Sequence, residues 1–139
     1  MAPPDDNLLD VESLRVSFAT EAGAARVLDG VNLAIRPGEI MGLVGESGCG
    51  KTTLANAVLG ILAGNARHEA GSIRFGGEDL LAMPRRQIED EVRGRRITFI
   101  PQDPYASFNP LFTVGAQATE VMKWKSPQRA ARAAGTSTS

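Results

Sequence analysis

The chain has 139 residues, 42% of them hydrophobic and 22% charged, the balance of a soluble globular fold with a core of its own. A net charge of −1 gives no electrostatic reason to expect a nucleic-acid partner, and no apolar run approaches the roughly 18–20 residues that span a bilayer. Met1–Asp6 has neither a basic start nor an apolar centre, so no secretory signal is expected, and the single cysteine, Cys49, excludes an internal disulfide.

In chain order, residues 1–7 read as a loose leader. Leu8 to Phe18 alternates in part, through Leu9 and Val11 and then Leu14, Val16 and Phe18, and predicts a strand. Small and polar residues from Thr20 to Ala25 predict a turn. Alternation resumes from Val27 to Ile35, a second predicted strand, and Pro37-Gly38 is a turn signal. Ile40-Met41-Gly42-Leu43-Val44 is continuously apolar, the pattern of a strand buried on both faces in a larger parallel sheet.

The next nine residues are Gly45-Glu46-Ser47-Gly48-Cys49-Gly50-Lys51-Thr52-Thr53, which read G-x-x-x-x-G-K-[ST]. A helix-compatible segment, Thr52 to Leu62, follows. Strand, glycine loop and helix in that order form the context a phosphate-binding loop requires. Glycines let backbone N–H groups turn inward around phosphate oxygens, and the helix points its positive end at the same anion. Lys51 adds a point charge for the outer phosphates, and the Thr52 hydroxyl can ligate Mg²⁺. The bland alternative is a glycine-rich turn between a strand and a helix.

Ala63 to Ala70 reads as a loop carrying the sole histidine, His68, and Gly71 to Gly77 as a short edge strand. Pro84 to Gly94 is charged and helix-compatible, with Pro84 suited to a first turn. Its charges read as a solvated face. Ile97-Thr98-Phe99-Ile100 predicts another short buried strand, followed by a proline-rich loop from Pro101 to Pro110. Phe112 to Trp124 predicts a helix with Val114, Ala118, Val121 and Met122 on one side. Residues 125–139 hold no Val, Leu, Ile, Met or aromatic side chain and predict a disordered tail.

The glycine loop, the Ile97–Ile100 run and the phrase Gln102-Asp103-Pro104-Tyr105-Ala106-Ser107-Phe108-Asn109-Pro110-Leu111 together resemble the ATP-binding subunits of ABC transporters. The two phrases look most like the peptide and nickel importer branch, and the resemblance covers about residues 8–124. It implies an α/β fold of the P-loop NTPase type, here incomplete, with an N-terminal antiparallel portion. It implies Mg-ATP as ligand, held by Gly45 to Thr53, with Gln102 touching the Mg²⁺ shell or the attacking water. Phe18 lies about where the family stacks an aromatic on adenine, and an ordinary strand core residue is the competing reading. The implied partners are transmembrane permease subunits, met by the stretch after Gln102, and a second ATP-binding subunit. The implied location is the inner face of the cell membrane.

The departures from the family pattern matter as much. No Leu-Ser-Gly-Gly-Gln-like signature is present, and no apolar strand ends in Asp-Glu. The chain therefore reads as the first half of such a subunit. Three functions compete: an importer ATPase subunit, a non-catalytic nucleotide-binding fragment, and another P-loop enzyme such as a small-molecule kinase. The Gln102-Asp103-Pro104 segment argues against the last.

Overall fold

In the computed structural model, which describes residues 6–46, 48–103 and 105–125, the skip in alternation between Val11 and Leu14 becomes a β-bulge. Strand β1 (Leu9–Thr20) pairs antiparallel with β2 (Gly23–Ile35) on one side and with β3 (Ala66–Phe75) on the other. A two-residue strand β4 (Glu78–Asp79) completes a four-stranded sheet in the order β2-β1-β3-β4. At the bulge Ser13 takes φ 47°, and its N–H is satisfied by the Asn32 side-chain oxygen at 2.8 Å. An inserted residue reverses which side chains face inward. That is why Val11 on one side of it and Leu14 and Val16 on the other are all buried.

Gly71 of β3 sits opposite this bulge with φ 93°, and a Cβ there would lie 2.5 Å from the Glu12 carbonyl oxygen and 2.6 Å from the Leu14 Cα. Only glycine fits. Ile73 and Leu28 complete the buried centre of the sheet, and the Leu80 N–H donates to the Ile73 carbonyl at 2.8 Å. Helix α1 (Lys51–Leu59) buries Leu54, Ala57, Val58 and Leu59, and meets the sheet at β2. It ends at Gly60, whose N–H bonds to Ala57 O while Ile61 N bonds to Asn56 O, the paired closure of a Schellman motif.

Helix α2 (Arg85–Gln87) starts after Pro84, as the sequence predicts, and continues as a wider π-helical turn through Ile88–Val92. The chain divides into two compact units, one ending at Ile88 and the other beginning at Glu89. The second unit holds a 3₁₀ turn at Tyr105–Ser107 and helix α3 (Val114–Lys125). Its basic last turn suits the negative end of the helix dipole, with Lys125 Nζ donating to the Glu89 carbonyl at 2.6 Å.

Several expectations are corrected. Ile40–Val44 forms no strand, and Ile40 is 99% and Val44 94% exposed. Ile97–Ile100 likewise has only a single bridge, Arg93 to Ile97, and Ile100 is 85% exposed. Each run is apolar on both faces, and a strand of that kind needs paired neighbours on its edges. Among the described residues of its own unit neither run has them. The predicted loop at Ala63–Ala70 gives way to β3 from Ala66 onward, and β3 is covered on its outer side by β4 at Arg74 and Phe75. His68 is accordingly a strand residue, its Nε2 lying 3.2 Å from the Gly71 carbonyl oxygen. The leader up to residue 5 and the predicted tail from residue 126 lie outside the described residues.

Candidate nucleotide-binding site

The glycine loop runs from the open Ile40–Val44 run into α1, and its shape is fixed from the helix end. Gly50 takes φ 101° as the residue before the helix, and a Cβ there would lie 2.9 Å from the Leu28 Cδ2 and 3.2 Å from the Val27 carbonyl oxygen. The loop is thus pressed against β2, and at this positive φ any side chain would be strained. Cys49 N donates to Glu46 O at 3.3 Å, closing a turn inside the loop.

The first bond of the helix pattern runs from Leu54 N to Gly50 O at 2.8 Å. The N–H groups of Lys51, Thr52 and Thr53 precede it and have no acceptor within the helix. They sit at the positive end of the helix dipole, where an anion is favoured. The Lys51 ammonium folds back over the loop. It donates to the carbonyls of Gly45 and Glu46, the second at 2.7 Å, and lies 3.5 Å from the Cys49 sulfur. A Cβ on Gly45 would meet that sulfur at 2.5 Å. Lys51 thus gathers the Gly45 and Glu46 carbonyls and the Cys49 sulfur into one cradle at the head of α1, beside Gly50; Ser47 lies outside the described residues.

This cradle suits a chain of phosphates. Glycine at Gly45 and Gly50 keeps the backbone open, three N–H groups face outward from the helix start, and a cation stands beside them. Thr52 is exposed and offers a hydroxyl for a divalent cation. Among the described residues no group of three or more His, Cys, Asp or Glu side chains gathers to hold a metal by itself.

Phe18 lies on β1, half-buried, in register with Ala25 of β2 and Ala66 of β3. Its neighbours across both ladders are small, so the ring is not walled in by larger side chains in register. Two positions earlier Val16 pairs with Leu28, the residue that packs against Gly50. Phe18 therefore stands on the strand order roughly 7 Å along β1 from the point where the loop is pinned. Gln102 belongs to the second unit, where it is exposed in irregular chain between Ile100 and Asp103. The sequence did not single out Leu28 and Val27, which shape the loop from beneath; they reach it only through the pairing of β1 with β2.

Comparison with known proteins bears on the same residues. The sequence profile of the family described as "ABC transporter" matches residues 28–137. The chain is 43% identical over 122 residues to a probable peptide ABC transporter ATP-binding protein of Sinorhizobium fredii, a match covering 87% of this chain and 36% of that protein. It is 43% identical over 119 residues to the oligopeptide transport ATP-binding protein OppD of Salmonella typhimurium, covering 86% of this chain and 35% of that one. Its identity to the Escherichia coli protein of the same name is 42% over 117 residues, covering 84% and 34%. The chain thus spans about a third of the length of the curated relatives it matches. Among the described residues no helix is long and apolar enough to cross a membrane.

Proposed function

The chain belongs to the ABC transporter family, and from that premise we propose that it binds Mg-ATP through Gly45 to Thr53 as an ATP-binding component of a peptide-type importer. The observation that carries this reading is the cradle itself: a glycine pinned at Gly50, a free helix start at Lys51 to Thr53, and the Lys51 ammonium beside them. Backbone N–H groups would receive the β- and γ-phosphates, and Lys51 would leave its own carbonyls for phosphate oxygens. Thr52 would hold Mg²⁺, which when bound neutralises phosphate charge. The Phe18 ring would stack on adenine, and Gln102 would approach the metal shell or a water beside the γ-phosphate. The peptide branch is supported by relatives whose names specify peptide or oligopeptide transport. On that likeness, permease subunits would hold the chain at the inner face of the membrane, beside a second ATP-binding subunit, and the stretch after Gln102 would face the permease.

A second reading concerns turnover, and two observations favour it. The sequence offers no Asp-Glu strand and no signature motif, and the run leading into the loop is exposed. We infer that this chain by itself holds nucleotide without hydrolysing it, because positioning and charge neutralisation at the attacking water need a carboxylate it does not place there. Cys49 supplies the test. Its alkylation is expected to slow at least severalfold in Mg-ATP, and Lys51→Ala to abolish that protection. Unchanged alkylation in Mg-ATP would sink the binding reading, and ATP hydrolysis abolished by Lys51→Ala would sink the second.

A further inference from the structure

Gln117, in the first turn of α3, uses its whole carboxamide on the turn that precedes the helix. Its Oε1 accepts from the Asn109 N–H at 2.9 Å, and its Nε2 donates to the carbonyls of Asn109 at 3.1 Å and Phe112 at 3.0 Å. The turn has further bonds of its own. Leu111 N donates to the Asn109 side-chain oxygen at 2.9 Å, and Phe112 N to the Asn109 carbonyl at 3.2 Å. Thr113 Oγ1 caps α3 by accepting from Ala116 N at 3.2 Å. Asn109 to Lys125 is therefore one hydrogen-bonded block. The preceding turn is built separately, on the Asp103 carboxylate, which accepts from Tyr105 N at 3.0 Å and Ala106 N at 3.3 Å.

The block carries Leu111 and Phe112 outward, both exposed. Proline at Pro110 supplies no N–H, and the Asn109 and Phe112 carbonyls point at one donor group. The chemistry at residue 117 is specific: one acceptor and two donors at the reach of a glutamine. A carboxylate there would still accept from Asn109 N but would set its oxygens against two carbonyl oxygens.

We propose that Gln117 is a positioning residue, a latch that fixes the Asn109–Phe112 turn on α3 and so gives the segment after Gln102 one preset shape. The proposal rests on the reading above that this segment faces a permease. A segment already held in its binding shape loses less conformational freedom when its partner arrives. The latch also divides the labour within the segment: residues 109–125 move as a unit, and any displacement of Gln102 must be absorbed between Pro101 and Phe108.

Amide exchange and chemical shifts of the full chain, followed by NMR, test this without nucleotide or permease. In Gln117→Ala the protection of the Asn109 amide is expected to fall about tenfold, the change one lost hydrogen bond produces. Gln117→Met, equal in length, should do the same and guards against a general loss of packing. In Gln117→Glu the turn should open at neutral pH. Its shifts should return toward wild type as the carboxyl protonates and regains a donor, at a pH above its ordinary value of about 4.3 because the closed turn favours the protonated form. The alanine and methionine variants should show no such acid recovery. Wild-type shifts at Asn109 to Phe112 in the alanine variant would overturn the latch. So would a glutamate variant that ignores acid while the sheet stays folded. Because no partner is involved, a failed latch leaves the permease reading to be judged by its own binding experiment.

Discussion

Strand β1 and the run Ile40–Val44 both carry leucine and valine, yet β1 holds Leu14 and Val16 fully buried while the run leaves Ile40 and Val44 almost fully exposed. The difference lies in their neighbours. β1 has β2 on one edge and β3 on the other, so its backbone is paired on both sides of the bulge at Ser13 and its apolar side chains meet others. The run has no ladder on either edge among the described residues of its unit. Apolar composition makes a strand possible; paired neighbours make it form. The consequence for the site is direct. The glycine loop is anchored through α1 and β2 behind it, at Gly50 against Leu28 and Val27, and receives no support from the run ahead of it.

The comparison breaks most readily at its buried side. Ile73, wholly buried opposite Val11, should cost about 2–5 kcal/mol when cut to alanine, because both transfer and cavity terms apply. Val44→Ala should stay within about 0.5 kcal/mol, the range of an exposed change. Urea unfolding of the two variants decides it. If Val44→Ala costs as much as Ile73→Ala, the run is packed in solution and the contrast fails.

A smaller effect sharpens the same contrast inside the loop region. Gly50→Ala meets both a left-handed backbone and a wall at 2.9 Å, and should cost about 1–3 kcal/mol while removing the protection of Cys49 by Mg-ATP. Gly42, in the open run, has no positive φ, and a methyl group there would meet nothing within 4 Å. Gly42→Ala should therefore leave stability and nucleotide protection near wild type. Equal losses in both variants would mean that the loop is held from the front as well as from behind.

Much of this was legible in the sequence, for reasons that particular residues show. The glycine loop stood out because phosphate chemistry restricts residue type at fixed spacing; what the structure adds is Lys51 turned back onto the Gly45 and Glu46 carbonyls. The odd-to-even skip from Val11 to Leu14 was visible too, and proved to be the bulge at Ser13. What could not be read was pairing. Ala66 to Ala70 is too polar to announce a strand, and it became one because β1 offered it an open edge. Ile40–Val44 announced a strand and formed none. Gln117 carried no signal at all, since its partners are backbone atoms whose position depends on the turn it helps to hold.

The smallest effect belongs to the charged surface of the paired region. Arg15 opposes Ala70 and Val16 opposes His68, which leaves Glu69 as an extra residue of β3. Its carboxylate takes a hydrogen bond from the buried Ser17 of β1 and lies 3.4 Å from Arg26 of β2, so one side chain ties three strands. Those contacts, the Ser17 hydroxyl first and then the Arg26 charge, hold the Glu69 carboxyl below its ordinary value near 4.5 despite some opposing loss of solvent. A carboxyl lowered by folding stabilises the fold above its unfolded pKa, and that contribution fades as pH falls through the folded one. Ser17→Ala removes the leading cause and should move the Glu69 titration upward, toward its ordinary value, in a side-chain NMR titration. The acid limb of stability should then become shallower over the same window, by a small amount because the group is open to solvent. Among the described residues no bond of this kind braces Ile40–Val44. A Glu69 titration unmoved by Ser17→Ala would mean that the Ser17 hydroxyl does not hold this carboxylate and that Arg26 alone ties it across the strands.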